Sequence, residues 1–168
     1  MDNKIEVMWR TYSSINDWIQ SSNTKAEIVL GIHGIMITVF LTSNLFELQK
    51  YLLAHKVILG FVILMVATSA ISIAYAFFCI TPRLEVGAPQ SLIYFSHISK
   101  NYSHAPSYER AVRDNLSDQN QLLREISSQV WANAVVADRK FKYISLSIRF
   151  LAINVILGIF AIISVLFI

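Results

Sequence analysis

Apolar residues gather in three long blocks, preceded by an amphipathic stretch and divided by two polar connections. The plainest block runs from Val57 to Pro82. It carries no charge, and as far as Ile80 only Gly60, Thr68, Ser69 and Ser72 fall outside the apolar set. At about 1.5 Å rise per residue this block makes a helix of roughly 36 Å, enough to cross a hydrocarbon core of about 30 Å. Its apolarity all the way round predicts a transmembrane helix, since a soluble core helix is normally shorter and keeps a polar face. The block between Glu27 and Glu47 is also free of formal charge with His33 neutral, and predicts a first span. The third block, from Ile144 to Ile168, carries only Arg149 among charged residues.

Outside these blocks the periods are helical. Ile5, Met8, Tyr12, Ile15 and Ile19 recur at steps of three and four, with Trp9 and Trp18 beside them, which predicts an amphipathic helix. That helix either lies on the membrane surface or packs on the protein's own polar segment, and its thin basic face, Lys4 and Arg10, favours the second. Ser21 to Thr24 interrupts the stripe, and Thr24 with Glu27 has the form of a capping box, so a new helix is expected to start there. After Thr81-Pro82-Arg83 a polar segment opens with a turn at Gly87 and Pro89 and continues through the apolar piece Ser91 to Ile98. Beyond Pro106 no helix breaker occurs until Gly158, so one long helix, or two divided near Asn115 to Asp118, should run straight into the last block. Val112, Leu116, Gln119, Leu123, Ile126, Val130, Asn133, Ala137 and Ile144 form a seam close to a 3.5-residue repeat. The seam serves either a coiled coil between copies or packing within one chain.

The fold predicted is an all-α membrane protein. Residues 1–24 form an N-terminal amphipathic cytoplasmic helix, 25–46 the first transmembrane helix, 47–56 a short external loop and 57–82 the second transmembrane helix. A helical cytoplasmic sensor module follows at 83–143, and 144–168 is a third transmembrane helix continuous with the last long helix of the module. Gly31 and Gly34 thin one side of the first span, with His33 between them. Ala67, Ala70 and Ala74, and beside them Ser69, Ser72 and Ala76, put small residues at the steps that let membrane helices approach. His33 and Asn154 are expected to make interhelical hydrogen bonds, because polar groups in a bilayer seldom face lipid.

Composition agrees: 55% of the 168 residues are hydrophobic and 15% charged. The net charge of +3 is a weak hint of nucleic acid, but the placement of the 14 Lys and Arg fits membrane orientation better. All but Lys50, Lys56 and Arg149 fall in residues 1–25 or 83–142, which by the positive-inside rule makes those parts cytoplasmic and the C-terminus external, with no domain expected beyond it. Cys79 is the single cysteine, so no intrachain disulfide forms. The first residues are too polar for a cleaved signal peptide.

No catalytic constellation is visible: there is no phosphate-binding glycine loop, nucleophile motif or His pair at metal-ligand spacing, and no cofactor, metal or enzymatic activity is expected. Three spans without an internal repeat argue against a transporter. The remaining chemistry is Arg139-Lys140-Phe141-Lys142-Tyr143, three cations and two rings just before the last span. These anchor the chain to anionic lipid, or Lys140, with Asn133 and Gln129 earlier on the same helix, lines a site for a small anion.

Lys25-Ala26, Thr81-Pro82-Arg83, Leu92-Ile93-Tyr94-Phe95 with Ile98, Tyr108, Gln129-Val130, and Asp138-Arg139-Lys140 with Tyr143 follow one another in an order that resembles the transmembrane effectors of the bacterial Pycsar antiphage system. The resemblance covers roughly residues 22 to 160; Asn23-Thr24 stands where an Asp is expected, and His33 where Asn is common. It implies a bacterial inner-membrane receptor for a cyclic pyrimidine nucleotide, cyclic CMP or cyclic UMP, supplied by a cognate cyclase. Ligand binding would impair the membrane and cause abortive infection. Taken with the anion site considered above, the candidate ligand-binding residues are Lys25, Arg83, Tyr94, Phe95, Gln129, Asn133, Arg139 and Lys140. The partners expected are the bilayer, the nucleotide and further copies of the chain, with no nucleic acid polymer. The competing reading is a constitutive homo-oligomeric membrane scaffold without a small ligand.

Overall fold

The structure, a computed structural model, describes residues 3–42, 55–81, 91–116 and 118–166. Five helices account for nearly all of them: α1 (Asn3–Thr42), α2 (Lys56–Ile80), α3 (Phe95–Asn101), α4 (Ala105–Leu116) and α5 (Gln119–Leu166). The described residues contain no strand. Helices α1, α2 and α5 are each long and apolar enough to cross a membrane, and only 17%, 11% and 6% of their most apolar windows is buried within the chain. So much exposed apolar surface belongs in lipid. The all-α membrane architecture and the long final helix are as the sequence predicts.

One boundary differs. No helix begins at Thr24: α1 is unbroken for 40 residues. A capping box forms only where the first amides lack an acceptor one turn back, and Ser21 to Thr24 contain neither Gly nor Pro to create that gap. Ser22, Ala26, Val29 and His33 are all buried at helical steps, so continuing the helix keeps one face covered. The division predicted near Asn115 to Asp118 is present. There Asp118 Oδ1 accepts the Asn120 and Gln121 amides at 2.9 and 3.3 Å, capping α5.

The chain divides into two compact units. The first joins Met1–Ser21 to Pro82–Arg139. In it Ile5 and Ile15 of the N-terminal stripe are buried, and Asn133 donates to Asn16 Oδ1 at 2.8 Å. The amphipathic start of α1 thus packs on the chain's own polar segment. Of the α5 seam residues in this unit, Ile126 and Ala137 are buried, Leu123, Val130 and Asn133 are partly buried, and Gln119 is exposed.

The second unit joins Ser22–Thr81 to Lys140–Ile168. Its core is Ala26, Val29, Ala76, Cys79 and Ile144. Ser72 donates to the Ser147 carbonyl and Ser147 donates back to the Ser72 carbonyl, both at 2.8 Å. Farther along α5, the Asn154 amide donates to Met65 O at 2.6 Å, Ser69 Oγ at 2.7 Å and Thr68 Oγ1 at 3.1 Å. Toward the other end Tyr75 stacks on Tyr143 and Phe150, with centroids 6.3 and 6.1 Å apart.

These contacts correct the packing face. Ser72 and Ala76 are buried, whereas Ala67, Ala70 and Ala74 are exposed. Both rows have the right spacing, but the serine row carries polar atoms that need partners inside a bilayer, and that decides which side turns inward. Gly31 and Gly34 are exposed too, and a Cβ at either would meet nothing within 4 Å. Asn154 makes the interhelical hydrogen bonds predicted for it, whereas His33, also buried, departs from the prediction, with Nδ1 2.9 Å from the Val29 carbonyl of its own helix.

Interhelical hydrogen bonds in membranes average about 0.6 kcal/mol, with a maximum near 1.7. Ser72→Ala and Ser147→Ala, each of which removes one hydroxyl-to-carbonyl bond, should each lower the unfolding free energy in detergent by about 0.6 kcal/mol or more. No loss from either substitution would mean that the reciprocal pair is not formed.

Candidate functional site

In the first unit, chemistry concentrates where Ser91 to Tyr94 cross α4 and α5. Ser91 Oγ accepts the Ile93 and Tyr94 amides at 3.1 and 3.2 Å, turning the chain into α3. The Ser91 amide donates to His97 Nδ1 at 3.1 Å, and the His97 ring meets Tyr94 edge-on at 5.0 Å. Leu92 is held on both sides of its backbone: its amide donates to Glu125 Oε2 at 3.1 Å, and Tyr108 donates its hydroxyl to the Leu92 carbonyl at 2.9 Å.

Those two side chains also line a cleft of about 300 Å³, together with Trp9, Leu92, Ile93 and Leu122. Two aromatic rings, an aliphatic floor and one carboxylate make a site for a flat, mostly apolar group with a hydrogen-bond donor. Trp9 and Glu125 were not among the residues the sequence singles out as ligand-binding. Trp9 reads as part of an amphipathic stripe, and Glu125 sits in a polar helical run where one carboxylate looks like another. Only the pairing of Glu125 with Leu92, far away in sequence, distinguishes it.

The residues predicted to bind a ligand fall into two sets, one in each unit. In the first unit Asn133 is paired with Asn16, and Gln129 is buried with no partner for Nε2 among the described residues. Arg139 is exposed, with no hydrogen bond or ion pair to any described residue. Tyr94 is partly buried; the Phe95 side chain and Arg83 lie outside the described residues.

In the second unit Lys140, 8% exposed, donates from Nζ to Asn23 Oδ1 at 2.8 Å and to the Cys79 carbonyl. Both acceptors are neutral, and no described carboxylate pairs with it. Cys79 lies in the last turn of α2, whose carbonyls carry partial negative charge, so Lys140 completes that helix end. Asn23, where the resemblance calls for Asp, supplies the other acceptor. Lys25 is exposed, with its ammonium 5.3 Å from the centroid of Phe141.

Lys140 is thus tied to α1 and α2. Lys140→Met should lower the unfolding free energy by about 1–3 kcal/mol, the cost of leaving buried acceptors unmet. Lys25→Met should cost about 0.5–1 kcal/mol. Unfolding in detergent followed by circular dichroism checks both, and an equal loss for the two would contradict the difference in burial.

With this geometry in place, comparison with known proteins adds the following. The chain matches the family model described as Pycsar effector protein domain over residues 7–168. It is similar to the Pycsar effector protein PtPycTM of Propioniciclava tarda, 26% identical over 144 residues, an alignment covering 83% of this chain and 69% of that relative. No solved structure matches.

Proposed function

We propose, for a chain that belongs to the Pycsar effector protein domain family, that it is a membrane effector of bacterial antiphage defence switched on by a cyclic pyrimidine nucleotide. On this reading cyclic CMP or cyclic UMP, made by a cognate cyclase during infection, binds the polar helical segment. The membrane-crossing helices then impair inner-membrane integrity, and the infected cell is lost. On this reading the N-terminus and residues 83–143 face the cytoplasm and the C-terminus faces out, an orientation that the distribution of Lys and Arg supports.

The family match along almost the whole chain is the observation that carries this reading. The chemistry is compatible with it. A cyclic nucleotide brings one negative charge and a base with an apolar face. Arg139 is an exposed guanidinium with no partner among the described residues, suited to a phosphate oxygen. Lys140 contributes less directly, because its donors already hold Asn23 and Cys79. A constitutive scaffold gains little support from the α5 seam, since Ile126 and Ala137 are buried within a single chain and Asn133 is paired with Asn16 of the same chain.

Expression with a pyrimidine cyclase should collapse the membrane potential of intact cells, and expression of either protein alone should not. Purified Arg139→Ala should bind the nucleotide about tenfold more weakly, the scale of one charge-assisted hydrogen bond, with unchanged thermal stability. If calorimetry detects neither cyclic CMP nor cyclic UMP on the wild-type protein, the proposal fails.

A further inference from the structure

The cleft beside Leu92 carries an inference that rests on the nucleotide reading and goes beyond it. The structure assigns this cleft to the nucleobase, and we infer that Glu125 is the residue that reads it, selecting an aminopyrimidine ring over one with a carbonyl at the same position.

A volume of about 300 Å³ is at the small end of ligand sites, suited to a single six-membered ring with part of its sugar. Trp9 and Tyr108 offer π faces, on which any base can stack. The Tyr108 ring is held in place because its hydroxyl is already spent on the Leu92 carbonyl. Glu125 is held likewise through Oε2, which accepts the Leu92 amide. Its second oxygen, Oε1, has no partner among the described residues. The site is therefore built before a ligand arrives: one residue, Leu92, fixes through its carbonyl the ring that stacks and through its amide the carboxylate that accepts.

A free carboxylate oxygen at the wall of an apolar cleft has two consequences. It repels a phosphate, so the ligand enters base first and leaves its charge outside. It also accepts hydrogen bonds and donates none. Cytosine presents its N4 amino group as a donor, the pairing that Glu and Asp make with this base elsewhere. Uracil presents O4 at that position, and two acceptors face each other without a proton between them. The cleft favours cytosine, and with it cyclic CMP over cyclic UMP.

The test is calorimetric titration of the purified full chain in detergent with each nucleotide, on wild type, Glu125→Gln and Trp9→Leu. The wild type should bind cyclic CMP at least tenfold more tightly than cyclic UMP. Glu125→Gln keeps an oxygen for the Leu92 amide and gains a donor for O4. It should retain its melting temperature and helicity while the ratio falls to about one or inverts. Trp9→Leu should weaken both nucleotides by a similar factor, because stacking does not distinguish them. A wild type that prefers cyclic UMP, or a ratio that Glu125→Gln leaves unchanged, overturns the inference while nucleotide activation stands. Binding of neither nucleotide by the wild type overturns both.

Discussion

A polar group on a membrane helix has no water to fall back on, so it is satisfied by protein or it costs several kcal/mol. That constraint fixes how α2 meets α5. Met65, Ser72 and Cys79 lie two turns apart on α2, and Asn154, Ser147 and Lys140 lie two turns apart in the opposite direction on α5. Each pair is joined by a hydrogen bond to a backbone carbonyl. Three rungs at a heptad step hold the antiparallel register, because a slip of a residue or two leaves polar atoms facing hydrocarbon. The apolar residues between them, such as Ala76 and Ile144, pack well in that register but would not select it against a neighbouring one.

Lys140 extends the same logic to a charge. An ammonium beside a membrane helix is stable only if its donors are met, and here the acceptors are an amide oxygen of α1 and a carbonyl in the last turn of α2. One side chain thereby ties three helices. The price is that a cation which looks from the sequence like the centre of an anion site is largely spent inside the protein. Arg139, one residue earlier and exposed, has no such obligation among the described residues. Adjacent basic residues on a helix point about 100° apart, so their neighbourhood in sequence says little about a shared role.

The legible part of this molecule is the part governed by bulk solvation. Uncharged runs as long as Val57 to Ile80 have one stable solution in water and lipid, and the N-terminal stripe at steps of three and four has nearly one. What remained illegible depended on which of several permitted choices the tertiary context took up. Thr24 with Glu27 has the composition of a cap, but a cap needs a chain end that the buried face of α1 removes. The Ala67 and Ser69 rows have the same spacing, and only the demand of Ser72 and its neighbours for acceptors separates them. Of the candidate site, the basic run before the last span and the Leu92 to Phe95 piece could be picked out from sequence. The role of Glu125 could not, because it consists of one bond to a peptide more than thirty residues away.

The rungs also limit what an activating ligand can do. Couplings between sites are typically about 1–3 kcal/mol. Sliding α2 by a residue or two against α5 would leave several buried polar atoms unmatched, each costing several kcal/mol in hydrocarbon. A ligand shifts an equilibrium only by the difference in its affinity for the two states, so a movement of that cost lies beyond its reach. Rearrangements that keep the Met65, Ser72 and Cys79 rungs intact are within it. Those are changes at the lipid-facing surfaces, where residues such as Ile35, Val66 and Ile162 are exposed and no described interhelical hydrogen bond has to break. On the proposed function, the α2–α5 pair moves as one piece, and the response to nucleotide is made in what that piece presents to the bilayer.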